Sequence, residues 1–270
     1  MAEEVLVVIG IGGMGQAIAR RLGSGKRVVL ADFDETALRT VAETMRADGY
    51  AVTSVHVDVS VRESVLALAA TAAALGSITQ IAHTAGLSPA QATVGAILRV
   101  DLLGVGLVLE EFGRVVAPGG AGVVIASMAG HLGALPAEQE DALTITPVDN
   151  LLALPFLADD VVTEPSSAYV IAKRANQLQV RAASRTWGAR GARINSISPG
   201  VISTAMGHKE LSSPTGEGMR AMIAMSAIGR PGTPDEIAAA AQFLLGRESS
   251  FITGTDLLVD GGVVAAIAAH

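Results

Sequence analysis

The sequence predicts a doubly wound α/β domain, a seven-stranded parallel sheet with helices on both faces, in one domain spanning residues 1–270. Three observations lead there. Short apolar runs alternate with longer segments of helical periodicity along the chain. Most of the short runs are apolar throughout, as expected of strands covered on both faces. The composition is 50% hydrophobic with 30 glycines and only 3% aromatic residues, which suits alternating helices and buried strands better than an all-β sandwich.

The elements follow in order. A strand over 5–10 runs into Gly10-Ile11-Gly12-Gly13-Met14-Gly15, which opens a helix over 14–23. In this G-x-G-x-x-G turn Gly10 permits the tight bend, Gly12 lets the backbone approach a pyrophosphate, and Gly15 allows close helix–strand packing. The helix start adds free N–H groups and the positive end of a dipole. The second strand, 27–32, ends on Asp32, 22 residues beyond Gly10, where an acid would bind the adenosine ribose hydroxyls. A carboxylate there repels a 2′-phosphate, so NAD(H) is expected in preference to NADP(H). Asp34 is a second candidate for the same place.

A helix over 35–48, a strand over 51–57, a helix over 61–75 and a strand over 78–84 continue the alternation. Residues 64–98 carry no Asp, Glu, Lys or Arg, but Gly76, Gly86 and Pro89 interrupt them. The stretch reads as core helix, turn and buried strand rather than a membrane span. A helix over 91–116 and a strand over 121–127 come next. The helix over 166–188 carries Tyr169 and Lys173, which at i and i+4 share one face. An unperturbed phenol, with a pKa of about 10, is a poor acid–base group at pH 7, and a nearby cation favours phenolate. Strands over 192–198 and 255–259 and a helix over 234–246 complete the pattern. Residues 203–225, with Met206, Met219, Met222 and Met225, read as a flexible apolar lid suited to a hydrophobic substrate; core packing explains those methionines equally well.

The net charge is −7, from 19 Lys+Arg against 26 Asp+Glu, with no strongly basic region, so a nucleic-acid partner is not expected. There are no cysteines, which removes disulfides, thiolate metal sites and cysteine nucleophiles, and no metal is expected. The opening MAEEVLVVIG lacks the basic segment of a secretory leader, and a cytoplasmic protein is the expectation.

One segment breaks the rhythm. Residues 131–165 hold Glu138, Glu140, Asp141, Asp149, Asp159, Asp160 and Glu164 and no Lys or Arg; the rest of the chain balances at 19 acids and 19 bases. Thr146-Pro147-Val148-Asp149 reads as a helix start, with Val148, Leu151 and Leu152 as its apolar stripe and Pro155 as its end. The segment is either a solvated surface insertion or a lid over the active site.

Taken together these residues resemble the short-chain dehydrogenase/reductase family, over essentially the whole chain. The glycine turn, Asp32, Asp58 after the third strand, His83-Thr84-Ala85-Gly86 after the fourth, Ser127 ending the fifth, Tyr169 and Lys173, Pro199-Gly200, and Asp260-Gly261-Gly262 stand in family order. The resemblance implies a Rossmann domain and an oxidoreductase that interconverts a secondary alcohol and a ketone. It implies Tyr169 as proton donor or acceptor, Ser127 bonded to the substrate oxygen, and Lys173 lowering the tyrosine pKa and holding the nicotinamide ribose. Cofactor contacts are then expected at Gly10, Gly12, Gly13, Met14, Gly15, Asp32, Phe33, Asp58, Val59, Thr84, Ala85 and Gly86. Further contacts are expected at Pro199, Gly200, Val201, Ile202 and Thr204, along the nicotinamide. The chain departs from the family in His83 where an asparagine is usual, and in Asp101 at the place of the asparagine of the catalytic tetrad. Ser127 and Tyr169 are 42 residues apart, farther than in simpler members, because of the acidic segment. Members of the bacterial 3α-hydroxysteroid dehydrogenase/carbonyl reductase type carry an insertion at this place. The other reading is a dinucleotide-binding protein of the same fold with little catalysis, acting as sensor or scaffold; Asp101 favours it, and the intact Ser127, Tyr169 and Lys173 oppose it. The expected partner is a small alcohol or ketone, hydrophobic or alicyclic. A homodimer is expected, with a tetramer as alternative. The insertion is expected to cover the face of the 91–116 and 166–188 helices, leaving the 234–246 helix and the last strand to assemble.

Overall fold

A computed structural model describes residues 3–213 and 216–269. Seven strands, β1 (Glu4–Ile9), β2 (Arg27–Asp32), β3 (Ala51–His56), β4 (Ser77–His83), β5 (Ala121–Ile125), β6 (Arg193–Pro199) and β7 (Asp256–Val259), form one parallel sheet in the order β3-β2-β1-β4-β5-β6-β7. The order reverses between β1 and β4, where the crossovers leave a crevice at the carboxyl ends of the strands. The seven-stranded α/β architecture is the one the alternation predicted.

The helices are α1 (Gly13–Leu22), α2 (Glu35–Ala47), α3 (Arg62–Leu75), α4 (Val94–Ile97), α5 (Gly104–Val115), α6 (Ala129–Leu132), α7 (Ala137–Ile145), α8 (Pro165–Ala189), α9 (Ala205–Leu211), α10 (Gly216–Met225), α11 (Pro234–Leu245) and α12 (Val263–Ala268). Side chains alternate across the sheet because a strand has a period of two. Val5, Val7, Ile9, Val29, Ile81 and Val124 pack under α3, α5 and α8. Leu6, Val8, Val28, Leu30, Val123 and Ile125 pack under α1, α2 and α11. Trp187 of α8 is fully buried and donates its indole N–H to the Leu109 carbonyl at 3.0 Å. It fits only because β5 and α5 present glycines: a Cβ on Gly122 or Gly113 would lie 2.7 or 2.9 Å from the indole.

Two sequence expectations need correcting. The helix read over 91–116 is α4 and α5 joined by a π-helical turn, Leu98–Leu103, that contains Asp101. The helix read from Thr146 is a 3₁₀ element, Val148–Ala153; Thr146 lies outside it and instead ends α7, its N–H donating to the Ala142 carbonyl, and Pro155 begins a second 3₁₀ turn, Pro155–Leu157. Pro147 and Pro155 bracket the stretch and leave room only for a short element.

The acidic segment is a packed element. Leu143, Leu151, Leu157 and Val162 are buried against Leu98, Leu102, Ala168, Ala172 and Leu178. Val148 seats on Gly106 of α5, where a Cβ would come within 3.0 Å of it. Two of the acids find cations elsewhere in the chain: Glu140 binds Arg174 at 2.6 Å, and Asp149 binds Arg62 at 2.9 Å. Arg62 also grips Glu110 and the buried Glu111. The segment therefore lies over the π-turn, α5 and α8.

Candidate active site

At the sheet's switch point β1 turns into α1. Gly10 has φ +89°, a left-handed conformation natural to glycine, and a Cβ there would lie 2.4 Å from the Ala85 nitrogen. A Cβ on Gly15 would lie 2.0 Å from the Gly10 carbonyl oxygen, so the helix docks this closely only with glycine. Gly12, by contrast, faces open space, and among the described residues no side chain caps the α1 N-terminus. The turn thus presents bare backbone N–H groups toward a cleft of about 440 Å³.

Gly10, Gly12, Asp32, Phe33, Asp58, Val59, Thr84, Ala85 and Gly86, all singled out by sequence, line this one cleft. One Asp32 oxygen accepts the Ile11 N–H at 2.7 Å and the other the Asp34 N–H at 2.9 Å, which fixes the carboxylate at the cleft's edge. Asp34 instead accepts N–H bonds from Thr36 and Ala37 as the cap of α2, so it is a structural residue. Phe33 is largely exposed beside His56. Asp58 turns its carboxylate to Ser60. A glycine cradle with uncapped N–H groups, an acid at its edge and an exposed ring fit a dinucleotide: the turn would hold the pyrophosphate and Asp32 the ribose.

The remaining predicted contacts lie elsewhere. Gly13 abuts Thr204, which caps α9, while Met14 and Gly15 pack beneath the turn. Pro199 ends β6, and its carbonyl accepts the Met128 N–H. Gly200, Val201 and Ile202 border a separate hollow of about 140 Å³ with Arg230 and Asp260. The cleft also has walls that sequence reasoning missed, Val57, Ser60, Leu87, Ala96, Arg99 and Val100, while Met206, read from the sequence as part of a lid, lines it too. Arg99 stands in the π-turn, where a uniform helix gave no signal.

The proton-handling groups meet where β4, β5 and α8 converge. Pro165 starts α8, and the alanines at 168, 172 and 175 let it lie against the 94–103 segment, with Tyr169 and Lys173 one turn apart. The Lys173 ammonium lies 5.4 Å from the Tyr169 ring centre and donates to the Ile125 carbonyl at 3.4 Å. Its closest charged neighbour is Asp101, at 3.1 Å. Gly86 passes beside both, since a Cβ on it would lie 3.2 Å from Asp101 Oδ2 and from Lys173 Nζ. Ser127 accepts the Ala129 N–H at 3.1 Å, and its hydroxyl favours the ionised form of the nearby Tyr169 phenol.

Burial pushes the Tyr169 phenol up, and Asp101 and Glu210 add to this; Lys173 and Ser127 act in the opposite direction, and the net shift is upward. The cation's expected effect is present but is outweighed. Burial likewise pushes the Asp101 carboxyl up against the pull of Lys173 and the Leu87 N–H. Burial opposes the Lys173 charge, but Asp101 and Tyr169 carry its pKa above the usual lysine range. His83 is buried, and burial with the nearby Lys173 drops its pKa to about 3.

Comparison with known proteins bears on this site. A family model described as enoyl-(acyl carrier protein) reductase matches residues 10–144 and 140–264. A short-chain dehydrogenase/reductase of Alternaria brassicicola, bsc3, is 44% identical over 267 residues, covering 98% of this chain and 97% of the relative. The chain belongs to the short-chain dehydrogenase/reductase family. As a member of that family it is an oxidoreductase of the kind that binds nicotinamide dinucleotides. Cis-4-hydroxycyclohexanecarboxylate dehydrogenase of Sinomonas cyclohexanicum is 30% identical over 275 residues, 98% of each chain. A solved short-chain dehydrogenase/reductase from Serratia marcescens superposes with a TM-score of 0.74 at 23% identity, over 97% of this chain and 98% of that one, and shares the fold. Among the described residues no helix is long and apolar enough to cross a membrane.

Proposed function

We propose that this member of the short-chain dehydrogenase/reductase family is an NAD(H)-dependent oxidoreductase that interconverts a secondary alcohol and a ketone. The observation that carries the reading is the meeting of Ser127, Tyr169 and Lys173 beside the glycine-lined cleft. When bound, the nicotinamide supplies or accepts the hydride. Tyr169 gives its phenolic proton to the substrate oxygen, or takes one from it, and Ser127 hydrogen-bonds that oxygen. Lys173 holds the nicotinamide ribose and acts on the phenol. Asp32, at the edge of the cleft, favours NAD(H) by repelling a 2′-phosphate. Leu87, Leu154 and Phe156 pack in the same apolar cluster as Tyr169, which suits a hydrophobic or alicyclic substrate, and one relative is named for a cyclohexane alcohol. The protein works as a homodimer in the cytoplasm.

The test is Tyr169→Phe, assayed on cyclic and steroidal alcohols and ketones with NAD(H) and NADP(H). Turnover should fall to less than a tenth of wild type, while NADH affinity, read by fluorescence, stays within a few-fold and tighter than NADPH affinity. Retention of more than a tenth of the activity removes Tyr169 as the proton-handling group. A wild type that prefers NADPH removes the role of Asp32.

A further inference from the structure

The ammonium expected to serve Tyr169 has a nearer partner. Asp101 Oδ2 stands 3.1 Å from Lys173 Nζ, with side chains 0% and 5% exposed. We propose that Asp101 is a positioning residue that draws the Lys173 charge onto itself, leaves the Tyr169 phenol protonated, and so biases the site toward donating a proton to a carbonyl. The last part of this, the direction, rests on the proposed function; the protonation of Tyr169 does not.

Asp101 is held for this work. Its Oδ1 accepts the Leu87 N–H at 2.8 Å, and its own carbonyl accepts the Asn176 amide at 2.6 Å. The π-helical turn Leu98–Leu103 carries it, and it is buried against α8. Among the described residues Oδ2 makes no hydrogen bond and meets the ammonium as an ion pair; that cation and the N–H on Oδ1 both favour the ionised carboxylate against the opposing effect of burial. A lone ammonium near a phenol favours phenolate; an ammonium paired to a carboxylate at 3.1 Å presents a dipole, whose field falls off faster with distance.

The groups facing Tyr169 come from four directions. Lys173 stands on its own helix, Ser127 follows β5, Asp101 is on the π-turn, and Glu210 is on α9. His83, at the end of β4 and near Lys173, is neutral above about pH 3 and adds no charge. One cation is thus set against two carboxylates. Of these, Glu210 accepts the Ser88 hydroxyl, while Asp101 engages the lysine.

The chain has two tyrosines, Tyr50 and Tyr169, so phenolate absorbance can be assigned by comparing the full-length protein with Tyr169→Phe. The experiment is an ultraviolet pH titration of wild type and Asp101→Asn, each with and without Tyr169→Phe, with unfolding followed by circular dichroism. In Asp101→Asn the Tyr169 transition should move down by about one pH unit or more, because Lys173 then acts on the phenol unopposed; the Tyr50 transition should not move. A transition in Asp101→Asn that coincides with wild type, lies above it, or is not seen before the protein unfolds overturns the proposal. Asp101→Ser gives the same reading if the asparagine variant does not fold. The titration needs neither substrate nor cofactor, so failure to find turnover would count against the proposed function and leave this result standing.

Discussion

His83 shows how a single side chain ties the site to the stability of the whole chain. It is buried, and among the described residues neither ring nitrogen has a hydrogen-bond partner. The folded protein protonates it only near pH 3, whereas the unfolded chain does so near the ordinary 6.5. Between those values the unfolded state binds more protons, so stability is full above about pH 6.5 and falls as the pH drops toward 3. The contribution of this residue has a slope of about 1.4 kcal/mol per pH unit. His83→Leu removes both the titration and the unpaired nitrogens. Its urea midpoint, measured from pH 7 to pH 4, should fall less steeply than that of wild type; parallel acid limbs would show that His83 is not the source. Tyr169 and Lys173 could be paired from their spacing in the sequence, because i and i+4 share a helix face whatever surrounds them. The upward shift of the phenol could not be foreseen, because it depends on burial and on Asp101 and Glu210, which other elements bring in.

At the scale of elements, the glycine turn was readable because its requirements are steric. Gly10 and Gly15 have no space for a Cβ, and Gly12 leaves the cleft open. The strands were readable because most are apolar runs between helical patterns. Two elements were not. The π-turn Leu98–Leu103 differs from its flanking helices by a hydrogen-bond register that side-chain periodicity does not encode. Helix α7 hid in an acidic stretch, because part of what stabilises it lies outside the segment, in Arg174 reaching Glu140. The same logic makes Arg62 the clamp of the insertion. It bonds Glu111, whose side chain is 1% exposed, and Asp149 in the 3₁₀ turn. Arg62→Ala leaves Glu111 with Arg114 alone. We expect a loss of about 1–3 kcal/mol in urea unfolding, and faster amide exchange across Val148–Ala153. An unchanged exchange rate there would mean that the apolar contacts alone hold the turn.

At the scale of the whole molecule, the insertion covers one surface that a second copy of the chain could otherwise meet. It lies over α5 and α8, with Val148 on Gly106 and Leu151 and Leu157 beneath. One edge of the sheet is open: β7 is an edge strand, partly exposed along its length, and Phe243 and Phe251, in the chain leading up to it, are exposed. An unpaired edge with exposed aromatic side chains is a surface suited to a second copy of the chain. Light scattering should give about twice 27.4 kDa, and Phe251→Glu should shift the protein toward monomer with its fold intact. A dimer that survives Phe251→Glu and cross-links through α8 would place the interface on the other side.

Trp187 has a practical consequence. It is the chain's one tryptophan, sealed between α5 and β5 and fixed by its bond to Leu109. Its emission should be that of an indole shielded from water, and should redden only when the α5–α8 layer parts from the sheet. Gly113 and Gly122 lie against the ring, and neither of them lines the cofactor cleft. The protein therefore carries a built-in reporter of folding, and a ligand that reddens the tryptophan emission, rather than merely dimming it, must be opening the α5–α8 layer.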